Sequence, residues 1–270
     1  MSSSDYTQAD IEQYMRSRID STDSGKLFEF GFQNDCREEI DELGVARNSG
    51  SGVLFSFTAI AAGWRPEAAR RLLGSGPDGL GMSDDFDAIA TADLELVNDA
   101  AYGGHSHRHA NGAHPDRALR SLSSMSVDGK STNSMGEALD RLTESPDPFD
   151  EAMSVFERVD TFGSLSAFDF LELAVRVNER TEIAPERLET HHVDRNGPKE
   201  TLSNTLENEH REGTSVQSDE GQRLLDELVE FARTDLGVEE TAAMFDVESC
   251  LCTYHGELEN EGPDWRGSCS

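Results

Sequence analysis

Apolar residues recur every three or four positions along most of the chain, which is the spacing of one face of an α-helix. Leu224, Leu225, Leu228 and Ala232 show this spacing clearly, and Gly237 follows them as a stop signal. No convincing alternation of apolar and polar residues marks a β-hairpin. The pattern therefore predicts about ten helices and little or no sheet.

Helix start signals support the same interpretation. Ser134 and Glu137 have the spacing of a capping box, and Pro115 can occupy the first position of a helix. Leu and Ala together number 47 whereas Val and Ile number 19, a bias that favours helix over sheet. We therefore expect an all-α fold.

Polar and glycine-rich stretches suggest how the helices are grouped. The segment Ser123–Ser134 is polar and is predicted to be a mobile loop. We expect a single helical domain over residues 1–255, with lobes at about 1–122 and 134–255. Residues 256–270 are predicted to be an acidic, flexible tail.

The charge balance changes this picture of an ordinary helical domain. Lys and Arg number 23 against 54 Asp and Glu, a net charge of −31, and only three cations are lysines. Such a chain repels itself strongly unless salt screens it, and at molar salt the Debye length is only ~3 Å. The composition is typical of the cytoplasm of extreme halophiles; the alternative is an acidic mesophilic protein with disordered parts.

The same numbers exclude DNA binding driven by a basic net charge. They do not exclude DNA as a partner, because counterion release contributes little in molar salt. The sequence contains no run of ~18 apolar residues, so it predicts no membrane span. Its first residues lack the charged-then-apolar order of a secretory signal. With four cysteines suggesting a reducing compartment, we expect a cytoplasmic protein of a halophilic archaeal cell.

Two acidic residues fall inside apolar helical stripes. Asp169 lies four residues from both Leu165 and Leu173, and Arg176 follows one turn later. A buried carboxylate needs a partner, so Asp169 either has a structural role, such as pairing with an arginine, or is held in a cleft for function.

Glu248 occupies a second such stripe, formed by Met244, Val247, Leu251 and Tyr254. A solvated glutamate would normally lie on another face of the helix. The pattern predicts that Glu248 is buried.

The sequence Arg195–Lys199 (RNGPK) predicts a turn at a helix start. Gly197 is expected to adopt a positive φ and Pro198 to open the helix, leaving free N–H groups that suit an anion. Asn196, Gly197 and Lys199 are therefore candidate phosphate ligands. The turn looks like the hairpin of helix-hairpin-helix DNA-binding proteins, and a plain turn before a helix is the alternative.

The loop Gly103–His114 contains alternating histidines. His105, His107 and His109 could bind a metal, or the loop is simply polar. Arg108 belongs to the densest cationic patch, which either faces phosphate or pairs with the abundant acids.

Other cofactor signatures are absent from the sequence. There is no Walker loop, no Rossmann glycine pattern and no G-x-S-x-G elbow, so we expect no cofactor. A zinc site built from Cys250, Cys252, His255 and Cys269 would require the last helix to end before Cys250.

Three segments together resemble a family of DNA-modifying enzymes from phages, the amino acid:DNA transferases and the related α-glutamyl/putrescinyl-thymine pyrophosphorylases. They are Phe162–Ala174 (FGSLSAFDFLELA), Asn196–Leu202 (NGPKETL) and Phe245–Gly256 (FDVESCLCTYHG). Their order and spacing are similar to the carboxy-terminal half of that family.

The resemblance implies a helical fold related to helix-hairpin-helix DNA glycosylases, and a gene carried by a virus. It implies transfer of an amine or amino acid onto a pyrophosphorylated hydroxymethyl-pyrimidine in DNA, with loss of pyrophosphate. Asp169 and Glu248 would be the catalytic carboxylates, and Asn196, Gly197 and Lys199 would hold phosphate. We add Arg176 and Arg108 as candidate phosphate ligands.

Two other functions stay open on the sequence alone. One is a noncatalytic helical module that binds DNA or protein, and the other is a metal-dependent enzyme built on the histidine loop. The catalytic interpretation expects Asp169, Glu248 and the Gly197 turn to line one concavity.

Overall fold

Helices are the main secondary structure of the described residues, as the sequence predicts. A computed structural model describes residues 6–21, 31–74, 80–81, 83–101, 113–209 and 215–260. Within these residues the elements are, in chain order, α1 (Gln8–Ser21), α2 (Gly31–Glu42), α3 (Gly50–Ala61), α4 (Pro66–Leu73), α5 (Phe86–Thr91), α6 (Glu95–Asn98), α7 (Pro115–Leu122), β1 (Ser126–Val127), β2 (Lys130–Ser131), α8 (Met135–Leu142), α9 (Pro148–Phe156), α10 (Gly163–Arg176), a short 3₁₀ helix (Thr181–Ile183), α11 (Asn196–Asn208), α12 (Asp219–Thr234) and α13 (Glu240–Asn260). In the described part of the chain, no helix is both long enough and apolar enough to span a bilayer.

The helices form two compact units. Unit 1 comprises residues 1–29 and 186–270, and unit 2 comprises residues 30–185. These boundaries differ from the expected lobes, because the polar segment 123–134 lies within unit 2. The flanking helices α7 and α8 both pack against α3, so this segment connects neighbours instead of separating lobes.

The core of unit 2 is built around α3, which is apolar on nearly every side. Its residues from Gly52 to Ala61 are all buried. Phe57 stacks on Phe162 with ring centroids 4.5 Å apart and meets the edge of Phe170 at 5.4 Å. Helix α10 is thus held against α3 by aromatic contacts, which fixes the position of its buried polar side chains.

One buried polar group in α3 has no compensating partner among the described residues. The Oγ atom of Ser56 is fully buried and forms no hydrogen bond there, whereas Thr58 donates to the carbonyl of Leu54 at 2.8 Å. A buried hydroxyl without a partner costs about 1–3 kcal/mol.

We therefore expect Ser56→Ala to raise the free energy of unfolding by about 1 kcal/mol, which corresponds to roughly 2–4 °C in Tm. Thr58→Val is the matched control and should lower the Tm, since it removes a hydrogen bond that is present. Thermal melts followed by circular dichroism would measure both. A Ser56→Ala protein that melts earlier than the wild type would contradict the unpaired hydroxyl.

The segment predicted to be a mobile loop forms a small antiparallel hairpin. Val127 pairs with Lys130, and the two residues between them, Asp128 and Gly129, have φ angles of +52° and +69°. Two consecutive positive φ angles define the type I′ turn that Asp-Gly favours. This small sheet agrees with the prediction of little or no sheet, and its two-residue strands are too short to show an alternating pattern in the sequence.

The start of α8 is fixed by its N-cap and by a carboxylate from outside the helix. Ser134 Oγ accepts a hydrogen bond from the Glu137 N–H at 3.2 Å, as the sequence predicts, but the Glu137 side chain accepts from the N–H of the residue before Ser134, so the capping box forms only in part. Asp84 Oδ2 accepts from the Gly136 N–H at 2.9 Å, and a Cβ atom placed on Gly50 would lie only 1.8 Å from the same oxygen. One carboxylate therefore lies at the first turns of both α3 and α8, where negative charge is favourable.

Unit 1 is a helical cluster in which α13 contacts α1, α11 and α12. The predicted stripe of Met244, Val247, Leu251 and Tyr254 is buried, and Glu248 with it. Helix α13 continues to Asn260, so helix replaces the first part of the tail predicted to start at residue 256. Residues 261–270 lie outside the described part of the chain.

Candidate functional site

Buried carboxylates are concentrated in two helices. Among the described residues only four acids are buried, although the sequence contains 54: Asp169 and Glu172 in α10, and Asp246 and Glu248 in α13. Burial of a carboxylate is costly, so proteins keep few of them. Among the described helices, α10 and α13 are therefore exceptional in carrying buried carboxylates. Both helices also carry segments of the family resemblance.

In unit 2, the buried acid Glu172 forms an ion pair within α10. The Nε atom of Arg176 lies 3.2 Å from Glu172 Oε1, and both side chains are only 8% exposed. Gln33 of α2 donates its Nε2 to the same carboxylate oxygen at 3.1 Å. Arg37 of α2 donates to the backbone carbonyl of Arg176 at 3.0 Å, so α2 supports both members of the pair.

Asp169 lies one turn before this ion pair and is 8% exposed, as the stripe predicts. Arg176, suggested as its neighbour, pairs with Glu172. A phosphate contact by Arg176 would require that buried pair to open. The roles of Asp169 in catalysis and of Arg176 in phosphate binding stay predictions.

In unit 1, α11 and α13 pack closely because Gly197 has no side chain. A Cβ atom at Gly197 would lie 3.2 Å from the Sγ atom and 3.3 Å from the Cα atom of Cys252. Gly197 lies inside the first turn of α11 and is not among the residues with positive φ. The expected positive-φ turn is therefore wrong at this position: the glycine is needed for close helix packing, not for a reversal of the chain.

Glu248 of α13 lies beside the residue that precedes α11. Its Oε1 atom is 3.8 Å from Arg195 Nη1, and the two side chains are 9% and 10% exposed. The same guanidinium donates through Nε to the backbone carbonyl of His192 at 3.1 Å. Arg195 is thus held in a buried position against Glu248, a pairing across the fold for which the sequence gives no signal.

The candidate phosphate ligands are arranged around the start of α11. Asn196 is the first residue of this helix, and Arg195 is its N-cap without a side-chain capping bond. Lys199 lies at the surface, where its Nζ atom is 2.6 Å from Asp194 Oδ1. Lys199 would have to exchange this exposed partner for a phosphate, an exchange that costs little because surface ion pairs contribute about 0–1 kcal/mol.

His255 of α13 uses both ring nitrogens within unit 1. Its Nε2 atom lies 2.7 Å from Glu200 Oε2, and its Nδ1 atom is 3.2 Å from the hydroxyl of Tyr6. Helix α13 also continues through Cys250 without a break. The alternative zinc site required that helix to end earlier, so this condition is not met.

Cys36 in α2 is fully buried and is not suited to nucleophilic chemistry. Burial raises the pKa of its thiol far above the usual range. The thiol therefore stays protonated at neutral pH, whereas a nucleophilic cysteine reacts as the thiolate.

The candidate residues are divided between the two units. Asp169 and Arg176 belong to unit 2, and Glu248, Asn196, Gly197 and Lys199 belong to unit 1. Arg108 and the three histidines at 105, 107 and 109 lie outside the described residues. That Asp169, Glu248 and the Gly197 segment line one concavity stays a prediction. Comparisons of the chain with protein-family models, with curated proteins and with solved structures gave no match, so the family resemblance also stays a prediction.

Proposed function

We propose that this protein modifies a DNA base, attaching an amine or amino acid to the 5-methylene carbon of a pyrophosphorylated hydroxymethyl-pyrimidine. The observation that carries the proposal is that, within the described residues, the buried acids are confined to α10 and α13. Those helices contain the first and third segments of the family resemblance. The second segment begins α11, which packs directly on α13.

The reaction needs a base because the attacking amine is protonated in water. Glu248 takes the proton of the ammonium group, and the freed nitrogen then attacks the methylene carbon. The new C–N bond forms as the C–O bond to pyrophosphate breaks, and the electron pair leaves with pyrophosphate. Arg195, 3.8 Å from Glu248, is a positioning residue that holds this carboxylate in place.

Pyrophosphate leaves with more negative charge than it has in the substrate. The first turn of α11 offers backbone N–H groups, and Lys199 supplies a nearby cation at the surface. Together these groups would stabilise the departing anion. Asp169 is assigned to orienting the amine, on the strength of the resemblance and of its burial in α10.

The proposal also covers the kind of cell in which such an acidic chain is stable. The net charge of −31 with three lysines favours a salt-rich cytoplasm, and we place the gene in a virus of a halophilic archaeon. A distant relation to helix-hairpin-helix DNA glycosylases belongs to the same proposal and is supported only by the all-α fold.

The test is turnover of a defined substrate in molar KCl. DNA containing 5-(pyrophosphoryloxymethyl)deoxyuridine would be incubated with putrescine or mixed amino acids, and the nucleosides would be analysed by mass spectrometry. We expect an amine-substituted nucleoside and free pyrophosphate from the wild type. Glu248→Gln should reduce the rate roughly 100-fold or more, since it removes the base while keeping the shape.

Glu240→Gln is the matched control, because Glu240 is in the same helix with 70% of its side chain exposed. It should react at the wild-type rate, whereas Asp169→Asn should be slow. Absence of product with every amine would overturn the proposed reaction. Normal rates for both Glu248→Gln and Asp169→Asn would overturn the assignment of these carboxylates.

A further inference from the structure

Two aromatic side chains of unit 2 are only half-buried, and they contact each other. Every other aromatic residue in the described part of this unit is buried. The rings of Phe32 and Trp64 have centroids 4.8 Å apart with their planes inclined by 36°. A pair of rings that contact each other at a tilt and stay partly open to solvent is a surface that suits another flat ring.

The backbone at this pair is held in an unfavourable conformation. Gly63 has a φ of +75°, which is common after a helix, but Trp64 also has a positive φ of +65°. A bulky side chain in the left-handed region is strained, because its Cβ atom crowds the neighbouring backbone. The Arg65 N–H donates to the Ala59 carbonyl at 3.0 Å and closes this turn. Strain of this kind is concentrated at binding and catalytic sites.

The helix that follows Trp64 carries an arginine pair with unequal surroundings. Arg70 lies 2.5 Å from Glu39 and 2.8 Å from Glu42, so its charge is neutralised by α2. Arg71 is exposed and forms no ion pair with any described residue. In a chain with a net charge of −31, this leaves one cation in the last turn of α4, seven positions after Trp64, available to an anionic partner.

We infer that Phe32 and Trp64 form a stacking platform for an unpaired base of single-stranded DNA, with Arg71 near the strand's phosphates. Base stacking on aromatic rings tolerates any sequence and does not depend on charge. In molar salt, phosphate contacts lose most of their counterion-release contribution, so stacking must supply a larger share of the affinity. The inference depends on the proposed function only in taking DNA as the ligand.

Tryptophan fluorescence provides a direct test. The chain has two tryptophans, and Trp265→Phe leaves Trp64 as the sole reporter. Titration in 2 M KCl with an oligo(dT) strand should quench this fluorescence in a saturable way. A strand of the same length with abasic sites has the same phosphates but no bases, and we expect it to quench weakly.

Two variants remove one ring each. Trp64→Gly deletes the indole at a position whose positive φ suits glycine, and Phe32→Leu keeps an apolar side chain. Each should weaken oligo(dT) binding about 10-fold, as measured by anisotropy of a labelled strand. Arg71→Gln should weaken oligo(dT) binding at 0.3 M KCl and have little effect at 2 M. Arg70→Gln is the control and should not weaken binding, because the charge of Arg70 is already neutralised by Glu39 and Glu42.

The outcomes separate this inference from the proposed reaction. Equal affinity for oligo(dT) and the abasic strand, or unchanged affinity after Trp64→Gly, would overturn the platform even if base modification occurs. Quenching by an apolar peptide but not by oligo(dT) would overturn it as well. Stacking-dependent binding by a protein that forms no modified nucleoside would support the platform while the proposed reaction fails.

Discussion

Arg176→Ala should destabilise the protein by about 3–5 kcal/mol, because it leaves Glu172 buried without its guanidinium partner. Both side chains of this pair are only 8% exposed, so the carboxylate of Glu172 is poorly solvated once the guanidinium is gone. Urea unfolding at constant molar KCl would measure the effect; guanidinium chloride is unsuitable, since it would change the ionic screening. The double variant Glu172→Leu/Arg176→Met should recover most of the loss, because it removes both charges.

Arg223→Ala is the matched control for this prediction. Arg223 also forms a pair one helical turn away, with Glu227 at 3.3 Å, but 52% of its side chain is exposed. Its removal should cost less than about 1 kcal/mol. If Arg176→Ala and Arg223→Ala cost the same, the burial of the α10 pair is not what makes it important.

Lowering the KCl concentration from 3 M to 0.1 M should reduce the Tm by more than about 10 °C, equivalent to a loss of roughly 4 kcal/mol. The Debye length grows to ~10 Å at 0.1 M, so the excess acids begin to repel one another. Ion pairs act in the opposite direction, since salt weakens them. Arg187, for example, lowers the pKa of Asp226 by hydrogen bonding to it.

The magnitudes decide which effect is larger. Exposed pairs contribute about 0–1 kcal/mol each, whereas a net charge of −31 acts over the whole surface. Circular dichroism melts across a KCl series would give the sign. Trehalose at matched water activity is the control. Because it does not screen charge, it should not restore the Tm that is lost at low KCl. A Tm that stays constant or rises on dilution would contradict self-repulsion.

The sequence predicted those features that depend on local spacing. The buried stripe around Glu248, the N-cap at Ser134 and the helix start at Pro115 are all confirmed. The i,i+4 spacing of Glu172 and Arg176 was equally visible, and it could have predicted their ion pair. Asp128-Gly129 is likewise a strong turn signal, missed because the strands beside it are so short.

Other features depend on contacts between distant parts of the chain. Nothing around Arg195 indicates that its side chain reaches Glu248, 53 positions away along the chain, since pairing across a fold follows no periodicity. Gly197 was assigned a positive φ because turns are the commoner reason for a glycine, whereas here it admits Cys252 of a neighbouring helix. The positive φ of Trp64 has no sequence signature, because tryptophan normally avoids it.

The carboxylate shared by α3 and α8 restricts how this part of unit 2 can evolve. Any side chain at position 50 would collide with Asp84, and one at position 136 would lie 3.2 Å from the same oxygen. Loss of Asp84, in turn, would leave the Gly136 N–H without its acceptor. The three positions are thus interdependent, and a change at one becomes tolerable only after a compensating change at another. Substitutions at positions 50, 84 and 136 are therefore expected to accumulate in pairs during evolution.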